Sequence, residues 1–278
     1  MNKKRSILQK INYFVRKFPK YFHHFGPKKF TSWQHIKCLL LKEKLQCSYP
    51  KLLELLPYFG VNKIPDRTTL IKFAKRLPLS FWNKLLKLSA NLDFCEIGAI
   101  DSTGLSRSNA SSHYVKRIDR DTKTQRHLQL SLYVAVNERK ILSARLRAKP
   151  VHDNNEVPYL LRNSPCIAET NVLDKGYDSN KTHALFRDKG KFSIIPARKG
   201  CVRGIYRKEM RDYFDYSQYW QRNIVETVNS VIKRVYGEVC KTKTIVTQRA
   251  EVYCRLILYN ISLAIARLFH LSHGFQKI

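Results

Sequence analysis

Near Asn91 the spacing of apolar residues changes from helical to alternating, and that change restricts the chain to a small set of architectures. Before Asn91 the apolar positions recur at helical spacing. After it, Gln125 to Val136 sets Leu128, Leu130, Leu132, Val134 and Val136 against polar or small residues, which is a strand with one face on a core. Asn137-Glu138-Arg139-Lys140 turns this strand back into Ile141 to Leu146, giving a hairpin. A helix near Asn154 to Arg162 leads to a strand that ends at Asp174, a second helix runs near Lys181 to Phe186, and Lys191 to Pro196 forms another strand. A strand that ends at Asp101 precedes the hairpin. The order is therefore a three-stranded meander, then helix, strand, helix, strand and a last helix, which is an α/β domain with a mixed sheet flanked by helices. At 278 residues the chain has room for two cores. The expected division is a basic helical domain over 1–90 and the α/β domain over 91–278.

In the first domain Thr31 and Ser32 cap a helix running to about Leu45, Pro50 opens a second through Leu56, and Gly60 ends it. Asp66 follows Pro65 as the N-cap of a third helix, Arg67 to Leu77, whose polar positions include Arg67, Lys72 and Arg76. Helix, turn and basic helix together form a helix-turn-helix-like unit whose last member is shaped to enter a DNA groove, with Arg67, Lys72 and Arg76 as candidate DNA contacts. A small helical bundle with a basic face has the same pattern. Trp33, Tyr49, Tyr58, Phe59, Phe73, Phe81 and Trp82 are the expected core aromatics.

Lys and Arg number 52 against 21 Asp and Glu, a formal charge of +31 and a pI near 10. A polyanion is the natural partner, although ribosomal and RNA-binding proteins share this bias. The excess is concentrated at the front, where residues 1–90 hold roughly 20 basic and 3 acidic side chains. Seven cysteines without a Cys-x-x-Cys pair argue against a disulfide framework or a zinc ribbon. Val252 to Leu271 is broken by Arg255, Asn260, Arg267 and His270 and reads as a packed helix, so no membrane span is expected. The basic amino terminus lacks a following apolar run, so no secretory signal is expected either. A reducing cytoplasm is the expected location.

Chemistry concentrates between Tyr219 and Lys233. On one helix, Tyr219, Arg222, Glu226 and Lys233 fall within an arc of roughly 60°, opposite Ile224, Val225, Val228, Val231, Ile232 and Val235. Arg222 and Glu226 at i,i+4 also form an ordinary surface pair. Two further carboxylates, Asp101 and Asp174, each close an apolar run, and a carboxylate at the tip of a buried strand needs a cation beside it. Carboxylates from two strand ends and one helix suit a hard divalent ion such as Mg²⁺.

With Tyr-x2-Arg-x3-Glu-x6-Lys intact at Tyr219, Arg222, Glu226 and Lys233, the chain resembles the DDE-type transposases of insertion sequences. Asp174-x-Gly176-Tyr177-Asp178 and Ile100-Asp101-Ser102-Thr103 look like the first two acidic blocks of that family, and the resemblance covers about residues 30 to 270. The order of elements is that of a ribonuclease H-like domain, which gathers three carboxylates in this way. The resemblance implies a catalytic triad of Asp101, Asp174 and Glu226 holding two Mg²⁺ ions, or Mn²⁺, roughly 4 Å apart, with Asp101 bridging. It implies hydrolytic nicking at the ends of an element, followed by attack of the freed 3′-hydroxyl on target DNA. Tyr219, Arg222 and Lys233 would hold DNA phosphates. The implied partners are double-stranded DNA ends and target, bound by a homodimer on paired ends in a prokaryotic nucleoid, with no membrane and no small-molecule substrate. Two other readings stay open: a catalytically silent DNA-binding repressor, and a structure-selective nuclease on the same fold.

Other charged groups receive plainer readings. Asp153 in His152-Asp153-Asn154-Asn155-Glu156 and Asp178 before Ser179 look like helix N-caps. Asp119 and Asp121 sit among Arg117, Arg120, Lys123 and Arg126 and read as surface pairs, while His113 and Tyr114 follow a polar loop. Pro196 to Gly200 is a basic loop. Larger relatives carry an insertion before the glutamate helix, whereas here only Arg198 to Gln218 fill that gap. This segment is a basic and aromatic strip, with Arg203, Tyr206, Arg207, Lys208, Arg211 and Tyr213, suited to gripping a strand.

Overall fold

A computed structural model describes residues 2–22, 29–107, 127–200 and 203–273, with side chains described between 7 and 263. In chain order the elements are helices α1 (Asn2–Val15), α2 (Ser32–Leu45), α3 (Tyr49–Leu55), α4 (Arg67–Arg76) and α5 (Leu79–Ala90), then strands β1 (Ile97–Arg107), β2 (His127–Ala135) and β3 (Lys140–Arg147). They continue with α6 (Val157–Arg162), β4 (Thr170–Leu173), α7 (Asn180–Arg187), β5 (Phe192–Ile194), α8 (Ile205–Asp212), α9 (Tyr216–Tyr219), α10 (Asn223–Tyr236), β6 (Val239–Cys240) and α11 (Ile245–His273). Contacts divide the chain into two compact units, one of Met1–Leu85 with Thr244–Ile278, the other of Leu86–Lys243. The expected division at residue 90 placed α11 in the second domain, whereas its contacts put it in the first unit.

Local chemistry starts the helices of the first unit. Thr31 and Gln34 form a reciprocal capping box at the start of α2, Ser48 accepts from the Lys51 N–H at α3, and the Asp66 carboxylate accepts from the Thr68 N–H at 2.7 Å. Gly60, at φ 68°, ends the short 3₁₀ turn after α3 in a conformation that a side chain would strain. α11 packs against α1, α2 and α4. The reason is chemical as well as apolar: Arg255 on α11 reaches Glu43 of α2 at 3.1 Å and also bonds Glu251, while Lys42 meets Glu43 at 2.6 Å. Tyr253 donates to the Asn83 carboxamide at 2.8 Å, beside buried Trp82. Tyr58, expected in the core, is 84% exposed because it lies on the 3₁₀ turn after α3 rather than on an inward helical face. Among the described residues no helix is long and apolar enough to cross a membrane, and the described cysteines are all free thiols.

The second unit is the expected mixed sheet, in the order β3-β2-β1-β4-β5, with β6 pairing the far end of β1. The meander is antiparallel, and β4 lies parallel to β1 in the register Ile97↔Thr170 to Ile100↔Leu173. Two tyrosines bind β1 to its neighbours. Tyr133 of β2 lies against Gly98, donates to the Asn171 carboxamide at 2.6 Å and accepts from the Ala168 N–H at 2.8 Å. Tyr177 is buried and meets the Ser102 hydroxyl at 3.2 Å, which in turn meets Ser131 at 2.8 Å. Ile100, Tyr133, Leu142, Val157, Leu173 and Phe186 are part of one core beneath these contacts. The short pairing of β6 with Ser106 and Arg107 was not apparent from the sequence.

Several local expectations change. The helix expected from Asn154 is a 3₁₀ turn followed by α6, capped by His152, while Asp153 accepts from the Gln129 carboxamide at 2.8 Å instead of capping. Glu156 is fully buried against Arg145 and Arg147. Asp178 is no N-cap: the Arg207 guanidinium grips both its oxygens at 2.8 and 2.7 Å, and the Arg198 N–H donates to it. A bidentate cation is a stronger partner than the single N–H a cap would offer. Arg198 and Arg207 are thereby drawn from the proposed basic strip into the structure around Asp174. His113, Tyr114, Asp119, Asp121 and the basic residues around them lie outside the described residues.

Candidate active site

Because Ile100 pairs with Leu173 in parallel register, the next residue on each strand, Asp101 and Asp174, emerges at the same edge of the sheet. Side chains alternate along β1, so Asp101 and Thr103 face α10 while Ile100 and Ser102 face the core below. α10 packs on β1 and presents Glu226 in its first turn. The expected single helix from Tyr219 to Lys233 is interrupted. Tyr219 ends α9, Trp220 to Arg222 make a 3₁₀ turn, and α10 starts at Asn223. The i,i+4 relation of Arg222 to Glu226 survives the change, with an ion pair at 2.7 Å. On the other side of α10, Val225, Val228 and Ile232 are buried, but Val235 is exposed as the helix nears its end.

Arg222 is ion-paired with Glu226 and lies within the field of Asp174 and Asp101. Burial works against its charge, yet Glu226 first, then Tyr219, Asp174 and Asp101 hold its pKa above the ordinary value. Burial pushes the Asp101 carboxyl up to about 6. The Ser102 N–H and Arg222 oppose this rise, and the negative charges of Glu226 and Asp174 add to it. Burial also raises the Tyr219 hydroxyl, which interacts with both Arg222 and Asp174. Lys233 lies one flank along and pairs with Glu238 at 3.8 Å. A cleft of about 520 Å³ opens between β1 and α10, lined by Asp101, Thr103, Glu226, Asn229, Lys233 and Arg234 among others. Asp174 does not line this cleft; it faces Tyr219 and Arg222.

A sequence model of the transposase DDE domain matches residues 94–261. The chain belongs to the DDE transposase family. The match covers all of the sheet and α10, and this transposase therefore carries a ribonuclease H-like α/β domain joined to helices. Comparison with curated proteins gives no match. Among solved structures, the chain is similar to a piggyBac transposase in a cryo-EM synaptic complex with hairpin DNA, at 12% identity and a TM-score of 0.49, over 99% of this chain and 74% of that one.

DDE transposases generally use divalent metal ions, and the donors of this one suit such an ion in kind. Asp101, Asp174 and Glu226 supply hard oxygens, and Asp101 is held at a raised pKa by burial and like charge, a condition that a cation relieves. Among the described residues, no three His, Cys, Asp or Glu side chains converge as a closed metal-holding group. At Glu226 the Arg222 guanidinium pairs with one of the two carboxylate oxygens.

The N-terminal candidates divide. Lys72 and Arg76 lie one turn apart on α4 and border a cavity of about 600 Å³ that includes Phe22, Phe30 and Phe73, whereas Arg67 does not line it. All three are exposed. Sequence reasoning missed Asn229, which lies in the cleft one turn beyond Glu226. An Asn three residues after a Glu on an amphipathic helix carries no signal of its own.

Proposed function

We propose that this transposase binds the terminal repeats of an insertion sequence as double-stranded DNA and catalyses metal-dependent strand cleavage and strand transfer. The observation that carries the reading is that Asp101 and Asp174 emerge at one edge of the sheet, with Glu226, paired to Arg222, across the cleft from Asp101. In this reading Asp101, Asp174 and Glu226 hold Mg²⁺, with Mn²⁺ as a substitute. Two such ions, when bound, lower the pKa of an attacking water or 3′-hydroxyl and stabilise the leaving 3′-oxygen. The protein's part is positioning. Tyr219, Arg222 and Lys233 hold the DNA backbone, Arg222 with a planar fork of donors and Lys233 as a point charge, so that the scissile phosphate lies in line with the attacking oxygen. Transfer of Arg222 from Glu226 to a DNA phosphate would free that carboxylate as the substrate arrives.

The helical unit around α4 supplies end recognition through Arg67, Lys72 and Arg76, the last two on a common flank. Tyr213, Tyr216 and Trp220, exposed along α8 to the 3₁₀ turn, offer faces on which unpaired bases stack. A homodimer on paired ends and action on DNA in a prokaryotic cytoplasm complete the reading.

The test is a cleavage and joining assay with Mg²⁺ on DNA carrying the ends that flank the reading frame. Metal-dependent nicks and joined products are expected from wild type and neither from Asp101→Asn. Glu226→Gln is expected to abolish cleavage while leaving end binding nearly intact. Full nicking by Glu226→Gln would remove Glu226 from the triad. End binding without cleavage by wild type would favour a repressor, and cuts without joining a nuclease.

A further inference from the structure

Asn229 sits one turn beyond Glu226 on α10 and lines the same cleft as Asp101 and Glu226. Its side chain is 6% exposed, yet its Oδ1 atom has no hydrogen-bond partner among the described residues. A buried carbonyl oxygen without a donor is costly, and such groups are rare in native proteins. Its neighbours on the buried face of α10 are Val225, Val228 and Ile232, so an apolar residue would fit the pattern there at no such cost. Of the cations about this cleft, Arg222 pairs with Glu226 at 2.7 Å and Lys233 with Glu238 at 3.8 Å, and Arg234 lines its wall without bonding the Asn229 oxygen. Asp101, Glu226 and Asn229, each bearing acceptor oxygens, thus line one cleft together.

We propose that Asn229 Oδ1 is an oxygen ligand of the divalent ion that Asp101 and Glu226 hold, a neutral donor beside the acidic triad. Hard divalent cations take amide carbonyl oxygens alongside carboxylates. A neutral ligand also makes chemical sense at this position. Asp101 already faces the negative charges of Glu226 and Asp174, and a fourth carboxylate would deepen that repulsion whenever the ion is absent, while an amide adds a ligand without adding charge. The inference rests on the triad reading above and adds to it a residue that the acidic signature does not contain.

The test is titration of the full chain with Mn²⁺ and no DNA, following the free aquo-ion signal by electron paramagnetic resonance, for wild type, Asp101→Asn, Asn229→Ala, Asn229→Leu and Asn229→Asp. Asn229→Ala is expected to weaken Mn²⁺ binding by about tenfold or more, the scale of losing a group that supports a metal site. Asn229→Asp restores binding, since it returns an oxygen to the same place. Thermal melting without metal separates this role from a structural one: Asn229→Leu should melt at or above the wild-type temperature, because it removes an unpaired polar atom from a buried face. Wild-type Mn²⁺ affinity in Asn229→Ala would overturn the proposal, as would weak binding that Asn229→Asp fails to restore. If Asp101→Asn loses Mn²⁺ while Asn229→Ala keeps it, the triad stands and only the added ligand falls. If Asp101→Asn also binds as wild type does, the triad reading falls with it.

Discussion

Arg222 holds Glu226 at 2.7 Å and lies within the field of Asp174 and Asp101, so it competes for the place of any ion those carboxylates bind. Arg222→Ala should therefore separate two properties that a simple loss of function would merge. Mn²⁺ affinity without DNA is expected to rise by about tenfold, equivalent to ~1.4 kcal/mol, while affinity for end DNA falls. Isothermal titration of each ligand checks both signs, and a fall in both would show Arg222 to be a support of the site. A second residue of the same unit governs stability. His183 is buried on α7 with its Nδ1 against the Ser193 hydroxyl at 2.8 Å, and burial lowers its pKa to about 4, with Asp178 opposing. The unfolded chain, with its histidine near 6.5, binds the proton more readily. Stability is therefore complete above about pH 6.5 and is lost as pH falls toward 4, by roughly 3 kcal/mol in all. Denaturant melts at pH 7 and pH 4.5 of wild type and His183→Asn should show a weaker pH dependence in the variant.

Register between β1 and β4 brings Asp101 and Asp174 to one edge, and that register depends on the space at Gly98. A methyl group there would meet the Tyr133 ring at 2.6 Å, its hydroxyl at 2.8 Å and the Ala168 methyl at 2.9 Å. Gly98→Ala is expected to cost about 1–3 kcal/mol through overpacking, read as a lower denaturation midpoint, and to reduce cleavage beyond what the lost stability explains. Much at this scale was legible in the sequence. Alternating Leu128 to Val136, the Asp66 cap and the order of strands follow from local spacing and local hydrogen bonding, which neighbouring residues set between themselves. The 3₁₀ turn at Trp220 to Arg222 and the two-residue β6 were not legible, because a wheel assumes an unbroken helix and two residues carry no period. Asp178 was misread for a related reason: its partner Arg207 is 29 residues away, and nothing in Asp178-Ser179-Asn180 distinguishes a cap from a carboxylate gripped from a distance. Of the candidate site, the i,i+4 pair was legible, whereas the orphaned Asn229 oxygen depends on β1 facing it.

Across the whole molecule the largest departure from the sequence reading is the allocation of α11 to the N-terminal unit. A buried ion pair between residues 212 positions apart, Glu43 and Arg255, holds it there, and no periodicity could have announced that pairing. Arg255→Ala leaves Glu43 and Glu251 in a buried setting short of their shared cation. It should cost about 3–5 kcal/mol and weaken end binding before it touches the metal affinity of the second unit. Limited proteolysis and Mn²⁺ titration on the same preparation compare the two. The placement of α11 also bears on how the protein is made. The sheet lies wholly within Leu86–Lys243, whereas the helices of Met1–Leu85 share their core with α11, which follows the sheet in the chain. A chain broken off between the two would pair a finished sheet with a helical core still missing one of its members.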